Sequence, residues 1–215
     1  MSKNRIYNQL ILIFSLLFCL CFSSCKIFIS LTQTQNGDVI AEFSGIPEQA
    51  FVNTITSFLE GDSLFIDTNE IKSFLIDSGF VDVTVSNQVG ANVDIKMIIP
   101  KGKTFLFDSK LIFSDESNGN FGLKLSPATL QSFYANADDQ IISILDILLS
   151  PAFYGEEISE EDYLETIGSL YGNDVASEMD TSTIYITLKN KSGKTVKKSL
   201  PLKTLLTLNQ AITIK

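Results

Sequence analysis

No histidine and no tryptophan occur in the 215 residues, the sole arginine is Arg5, and all three cysteines (Cys19, Cys21, Cys25) fall near the start of the chain. Each absence removes a class of chemistry. Without histidine there is no Ser-His or Cys-His nucleophilic couple, and zinc or copper sites lose their commonest ligand. Without arginine beyond Arg5 there is no bidentate clamp for phosphate or carboxylate. No thiol follows Cys25, so stability has to come from a packed core and not from disulfides. A glycine-rich phosphate loop is missing, and the only Ser-x-x-Lys spacing runs from Ser23 to Lys26. Carboxylate pairs survive in principle as catalysts, but no motif marks them. The expectation is a protein that is not an enzyme and uses no metal or cofactor. With a formal net charge of −9, it is also a poor partner for nucleic acid.

What the chain does have begins at its amino end. Lys3 and Arg5 precede an apolar run from Leu10 to Phe22, broken only by Ser15, and Ser23-Ser24-Cys25 follows. A positive start, a short apolar core and small residues before a cysteine make an export signal. The run is shorter than the ~20 apolar residues a membrane-spanning helix needs. An uncleaved membrane anchor is the competing reading. Cys19 follows Phe18 and Cys21 follows Leu20, whereas Cys25 alone has small residues before it. The pattern resembles a bacterial lipoprotein signal. Phe22 stands where Leu, Val or Ile is usual, as in the relaxed signals of spirochaetes. The resemblance implies a signal peptide over 1–24 and a lipidated Cys25 carrying a diacylglyceryl group and an N-acyl chain, palmitate being typical. Two or more acyl chains hold a protein stably on a bilayer where one does not. Residues 25–30 then read as the lipidated terminus and a short tether, and 31–215 as a single α+β domain. The protein is expected on a bacterial membrane, facing the periplasm or the cell surface. Lys26 in place of Asp after the cysteine does not favour retention in the inner membrane under the enteric sorting habit, and inner versus outer membrane stays open.

Charge is unevenly spread. No base lies between Lys124 and Lys189, and the acids cluster from Asp138 to Asp180. After Asp180 only lysines follow: Lys189, Lys191, Lys194, Lys197, Lys198, Lys203 and Lys215. This basic tail suits either anionic headgroups or a solvated hairpin facing its own acidic domain.

Periodicity predicts strands at Phe28 to Gln35 and Val39 to Ser44, joined at Asn36-Gly37, a two-residue hairpin signal. Pro47 opens a helix stopped near Gly61. Asp67 and Thr68 cap a second helix with Ile71, Phe74 and Leu75 inward, ending at Ser78-Gly79. Val81-Val83-Val85 and Val93-Ile95-Met97 alternate with polar residues as half-buried strands. Further strands are expected at Lys110 to Ser114 and Phe121 to Leu125. Ser126-Pro127 then opens a long helix, with one apolar stripe from Leu130 to Leu148. Ser159 caps another, with Glu160, Glu161 and Asp162 in its first turn and Tyr163, Ile167, Leu170 and Tyr171 inward. Thr183 to Leu188 and Thr195 to Leu200 form a last hairpin about Ser192-Gly193. The predicted class is α+β: an antiparallel sheet with helices packed on one face, and a helical segment (about 126–180) inserted before the C-terminal hairpin.

Two clusters are candidate sites. The acids Glu156, Glu157, Glu160, Glu161 and Asp162 lack the alternating register of a calcium loop and read as a capped, solvated helix start. The aromatics Phe133, Tyr134, Phe153, Tyr154, Tyr163 and Tyr171 could line a pocket for an acyl chain or another apolar ligand. Ordinary core packing is the competing reading. The order of elements, from Cys25 through Asn36-Gly37-Asp38-Val39 to "SGFVDVTV" and a meandering sheet, resembles the LppM-type lipoprotein domain over about Cys25 to Leu125. The resemblance implies an envelope-held α+β domain that binds lipid, and it carries no catalytic residues. Two functions stay open: a membrane-anchored binding module for lipid or another apolar ligand, and a structural lipoprotein that docks a protein partner.

Overall fold

The computed structural model describes residues 26–45, 68–87, 92–102, 104–115, 120–135 and 157–215. The first helix expected from Pro47, the stripe beyond Ala135, and Cys25 lie outside these residues. Two strands open the described chain, β1 (Lys26–Gln33) and β2 (Val39–Gly45), paired antiparallel from Ile27↔Gly45 to Gln33↔Val39. The segment Lys26–Ser30, expected as a tether, is therefore already inside the sheet. The turn at Asn36-Gly37 closes the hairpin, but through a longer loop than the dipeptide suggests. Thr34 N–H donates to the Asp38 carbonyl at 2.8 Å, and the Thr34 hydroxyl donates to the same carbonyl at 2.9 Å. The backbone bond keeps the register of the Gln33↔Val39 pair and closes the hairpin around Gln35, Asn36 and Gly37.

Helix α1 (Thr68–Asp77) buries Ile71 and Leu75 and rests Phe74 against the core. It ends in a Schellman motif: Phe80 N–H donates to Leu75 O (3.1 Å) and Gly79 N–H to Ile76 O (3.0 Å). Gly79 has φ +89°, a left-handed conformation that glycine adopts without a Cβ penalty. Strands β3 (Val81–Asn87) and β4 (Val93–Ile99) follow. Between Val81↔Ile98 and Thr84↔Lys96 the register shifts, because β3 has one residue more than β4 there. The bulge, with Asp82 at φ +52°, breaks the alternation, so Val83 is buried but Val81 is 46% exposed.

Short helix α2 (Phe105–Asp108), strand β5 (Ile112–Asp115), strand β6 (Asn120–Leu125) and helix α3 (Pro127–Ala135) come next. The Ser126-Pro127 start forms as expected. Thr129 N–H donates to Ser126 Oγ (3.2 Å) and Ser126 N–H to Thr129 Oγ1 (2.9 Å), a reciprocal cap with threonine in the usual Glu place. Helices α4 (Glu160–Tyr171) and α5 (Asn173–Thr181) pack together, with Tyr163, Ile167, Val175 and Met179 buried. Leu170, expected inward, is 63% exposed. Helix α5 approaches at Gly168, where a Cβ would lie 2.9 Å from Asn173 Oδ1 and 3.5 Å from Ala176 Cβ. That approach turns the packed stripe toward Leu164 and Tyr171 and leaves Leu170 outside it.

The chain returns through β7 (Thr183–Lys189) and β8 (Thr195–Pro201), then α6 (Leu202–Thr207) and β9 (Ile212–Ile214). The main sheet has the order β3-β4-β2-β1-β7-β8, antiparallel except for the parallel pair β1/β7. The last hairpin completes this sheet as expected. Strands β5-β6-β9 form a second, three-stranded sheet that the periodicity did not separate from the first. Gln33 joins the two: its Nε2 donates to Ser114 Oγ at 2.7 Å. The α+β class is correct, with an antiparallel-dominated sheet and helices. Ile27, Leu31, Val39, Val93, Ile95, Ile184, Ile186 and Leu188 line one face of the six-stranded sheet and belong to one core cluster with Ile71, Ile167 and Met179 from the helices.

Candidate functional site on the outer face of the sheet

Because side chains alternate along a strand, residues beside those core positions project from the opposite face. The pairing lines them up in rows. One row runs Ser86, Asp94, Ser44, Phe28, Tyr185; the next runs Thr84, Lys96, Glu42, Ser30, Thr187. Phe28 and Tyr185 are direct neighbours on the parallel pair β1/β7, and their rings stack with centroids 5.2 Å apart and planes 19° from parallel. They remain 45% and 38% exposed. Beside them the serines Ser44 and Ser30 are small, while Lys96 Nζ meets Glu42 Oε1 at 2.8 Å on the next strands. A tall aromatic pair, two short side chains and a charged ridge leave a hollow of about 490 Å³ open to one side. That volume lies within the ~300–1,000 Å³ of small-molecule sites.

The hollow is mixed in character. Two acids and one lysine line it, so it is not a cationic site, while Ser30, Ser44, Thr84, Ser86 and Thr187 supply hydroxyls that can both donate and accept.

The aromatics singled out in the sequence stand elsewhere. Tyr163 is 3% exposed and is part of the core on α4. Burial, with a smaller contribution from Tyr171, pushes its phenol well above the ordinary tyrosine range, so it stays neutral. Tyr171 is half-buried and packs against the same core. Phe133 and Tyr134 lie on the backbone of α3, but their side chains, like Phe153 and Tyr154 as a whole, lie outside the described residues. Among the described residues, the hollow is lined by neither Tyr163 nor Tyr171. The sequence reading missed Phe28 and Tyr185. A signal existed in each strand, since both are aromatic at the phase opposite the Ile-Leu set. Their meeting depends on β1 pairing with β7, which strand patterns do not reveal.

The acidic start of α4 is occupied by the protein itself. Ser159 Oγ accepts from Asp162 N–H at 3.0 Å and donates to Asp162 Oδ2 at 2.7 Å. Thr204 Oγ1 donates to Glu160 Oε1 at 2.8 Å. Lys203 on α6 meets Asp180 of α5 at 2.6 Å and Glu160 of α4 at 3.7 Å, tying three helices together. The Asp180 hydrogen bond holds the Lys203 ammonium above its ordinary value, with partial desolvation opposing and the Asp180 and Glu160 charges adding to it. Among the described residues no group of three or more acids could hold a metal ion, and no helix is long and apolar enough to cross a membrane. No protein-family model, curated protein or solved structure matches the chain.

Proposed function

We propose that this protein is a non-catalytic binding module of the bacterial cell envelope, held on a membrane by lipid on Cys25, with its ligand site in the outer-face hollow. The observation that carries the reading is the exposed Phe28–Tyr185 stack walling a hollow of about 490 Å³. Aromatic pairs gain more from a contact than from water, and packing against a ligand supplies it. Support for the anchor comes from the signal-like run ending at Ser23-Ser24-Cys25 and from the resemblance to lipoprotein domains. Strand β1 starts at Lys26, so a lipidated Cys25 would hold that end of the sheet close to the bilayer.

The full chain, produced in a lipoprotein-processing bacterium fed labelled palmitate, tests the anchor. Label is expected on the wild type and on Cys19→Ala and Cys21→Ala, and lost only in Cys25→Ala, which leaves the membrane fraction. Label retained by Cys25→Ala removes the anchor from the proposal.

A second reading, docking of an acidic partner, rests on Lys189, Lys191 and Lys194. All are exposed around the β7–β8 turn. Since β1 and β7 run parallel from Lys26↔Thr183, that turn lies about 23 Å along the sheet from the anchored end, at ~3.3 Å per residue. It would face away from the bilayer, which argues against its meeting headgroups of the same membrane. Pull-down by an acidic partner that survives Tyr185→Ser and fails on Lys191→Glu would favour docking.

A further inference from the structure

We infer that the hollow on the outer face takes a neutral saccharide, an assignment that rests on the proposed ligand site and narrows its chemistry. Three properties of the lining select the ligand. The first is charge: Glu42 and Lys96 neutralise each other at 2.8 Å, and the remaining charged side chain of the lining is the acid Asp94. Within that lining phosphates, carboxylates and other anions would meet no net positive charge and no guanidinium fork, since the lysine of the same row on β8, Lys197, stands beyond Thr187 and outside the hollow. The second is the density of hydroxyl and carboxylate groups. An acyl chain laid over Ser30, Ser44 and Thr187 would strip water from polar groups and return no hydrogen bonds, a costly exchange. A sugar is itself a ring of hydroxyls, each able to donate and accept, and can replace that water group for group. The third is the wall. One ring face of a pyranose is apolar C–H surface, and Phe28 backed by Tyr185 offers an aromatic face of matching polarity.

The geometry sets the two chemistries at the right separation. In the row Phe28, Ser44, Asp94, the aromatic and the acid stand on strands β1 and β4, with β2 between them. Two strand spacings make that about 10 Å, wide enough for a sugar ring whose C–H face meets the wall while its far hydroxyls reach the carboxylate. The hollow is partly open, so a sugar that continues beyond it is accommodated as readily as a single ring. Its affinity comes from few contacts and should be modest.

The test is calorimetric titration of the full chain, solubilised in a polyoxyethylene detergent that carries no sugar. The probes are chitotriose, maltotriose and cellotriose, with sialyllactose and palmitate as anionic and acyl controls. At least one neutral trisaccharide is expected to bind. Tyr185→Ser and Phe28→Ser should each weaken it about tenfold or more, with unchanged circular dichroism, and raising the salt should leave it unaltered. Asp94→Asn, which keeps the shape, should weaken it less than either aromatic replacement. If none of the three neutral sugars binds, the saccharide assignment is overturned. If palmitate or sialyllactose then binds and is lost in Tyr185→Ser, the ligand site itself survives. Binding of any probe that ignores all three substitutions overturns both the assignment and the site.

Discussion

Along β1, Ile27, Leu31 and Gln33 turn inward while Phe28, Ser30 and Thr32 turn outward; along β7, Ile184, Ile186 and Leu188 turn inward while Tyr185 and Thr187 turn outward. Apart from Gln33, whose amide bonds to Ser114, the inward set is aliphatic, buried and covered by helices that add Ile71, Ile167 and Met179. The outward set is polar except for an aromatic pair left partly in water. One strand thus serves two ends at a period of two: the inner face supplies the burial energy that holds the domain together, and the outer face is free to be chosen for contact. An exposed Phe beside an exposed Tyr contributes little to stability, so their place on the sheet is better understood by what they could touch.

The two faces part most sharply at two consecutive residues of β1. Ile27→Ala should cost about 3 kcal/mol, because the side chain is fully buried and leaves a cavity. Phe28→Ala should cost under about 1 kcal/mol, mostly lost stacking. Urea melts of the two variants measure the gap, and equal losses would mean that both faces are structural. Gly79→Ala, at the Schellman turn that ends α1, should cost about 1 kcal/mol, since φ +89° strains any Cβ-bearing residue. The same denaturation assay reads it.

Next in size is the helical cover. Lys203 has a raised folded-state pKa, so the stability its clamp contributes is present at neutral pH and is lost as pH climbs past its ordinary value of 10.5. Melting temperatures at pH 9 and 11 should fall more steeply for the wild type than for Lys203→Met. Identical slopes would place the alkaline loss elsewhere. The smallest effect belongs to Glu42→Gln on the outer face, where an exposed pair is worth under about 0.5 kcal/mol. Thermal melts with and without added salt should barely separate it from wild type, and a loss of 2 kcal/mol or more, on the order of a core truncation, would contradict the division between faces.

The elements that rest on local chemistry were legible. The cap at Ser159, the Ser126-Pro127 start, the Gly79 stop and the alternation of Thr183 to Leu188 follow from neighbours within a few residues. What was not legible depends on remote pairing. Strands β5 and β6 join β9 in a sheet of their own because Leu123 meets Ile214, a contact no short window contains. Val81 changes face because of a one-residue bulge, and Leu170 because α5 packs at Gly168. The candidate site was hidden for the same reason. Tyr163 and Tyr171 share a helical stripe and drew attention as a pocket, yet that stripe is core, whereas Phe28 and Tyr185 come from strands more than 150 residues apart in sequence and meet only in the folded sheet.

Whether ligand contact belongs to the outer face is read most directly from a map of amide and aromatic chemical shifts. The full chain, isotopically labelled in the same detergent, would be titrated with the three neutral sugars and with palmitate. The expected result is a set of shifts, produced by a neutral sugar and confined to Phe28, Ser30, Ser44, Asp94, Tyr185 and their row neighbours. Shifts gathered instead around Tyr163, Ile167 and Tyr171 would contradict it and return the ligand to the helical core.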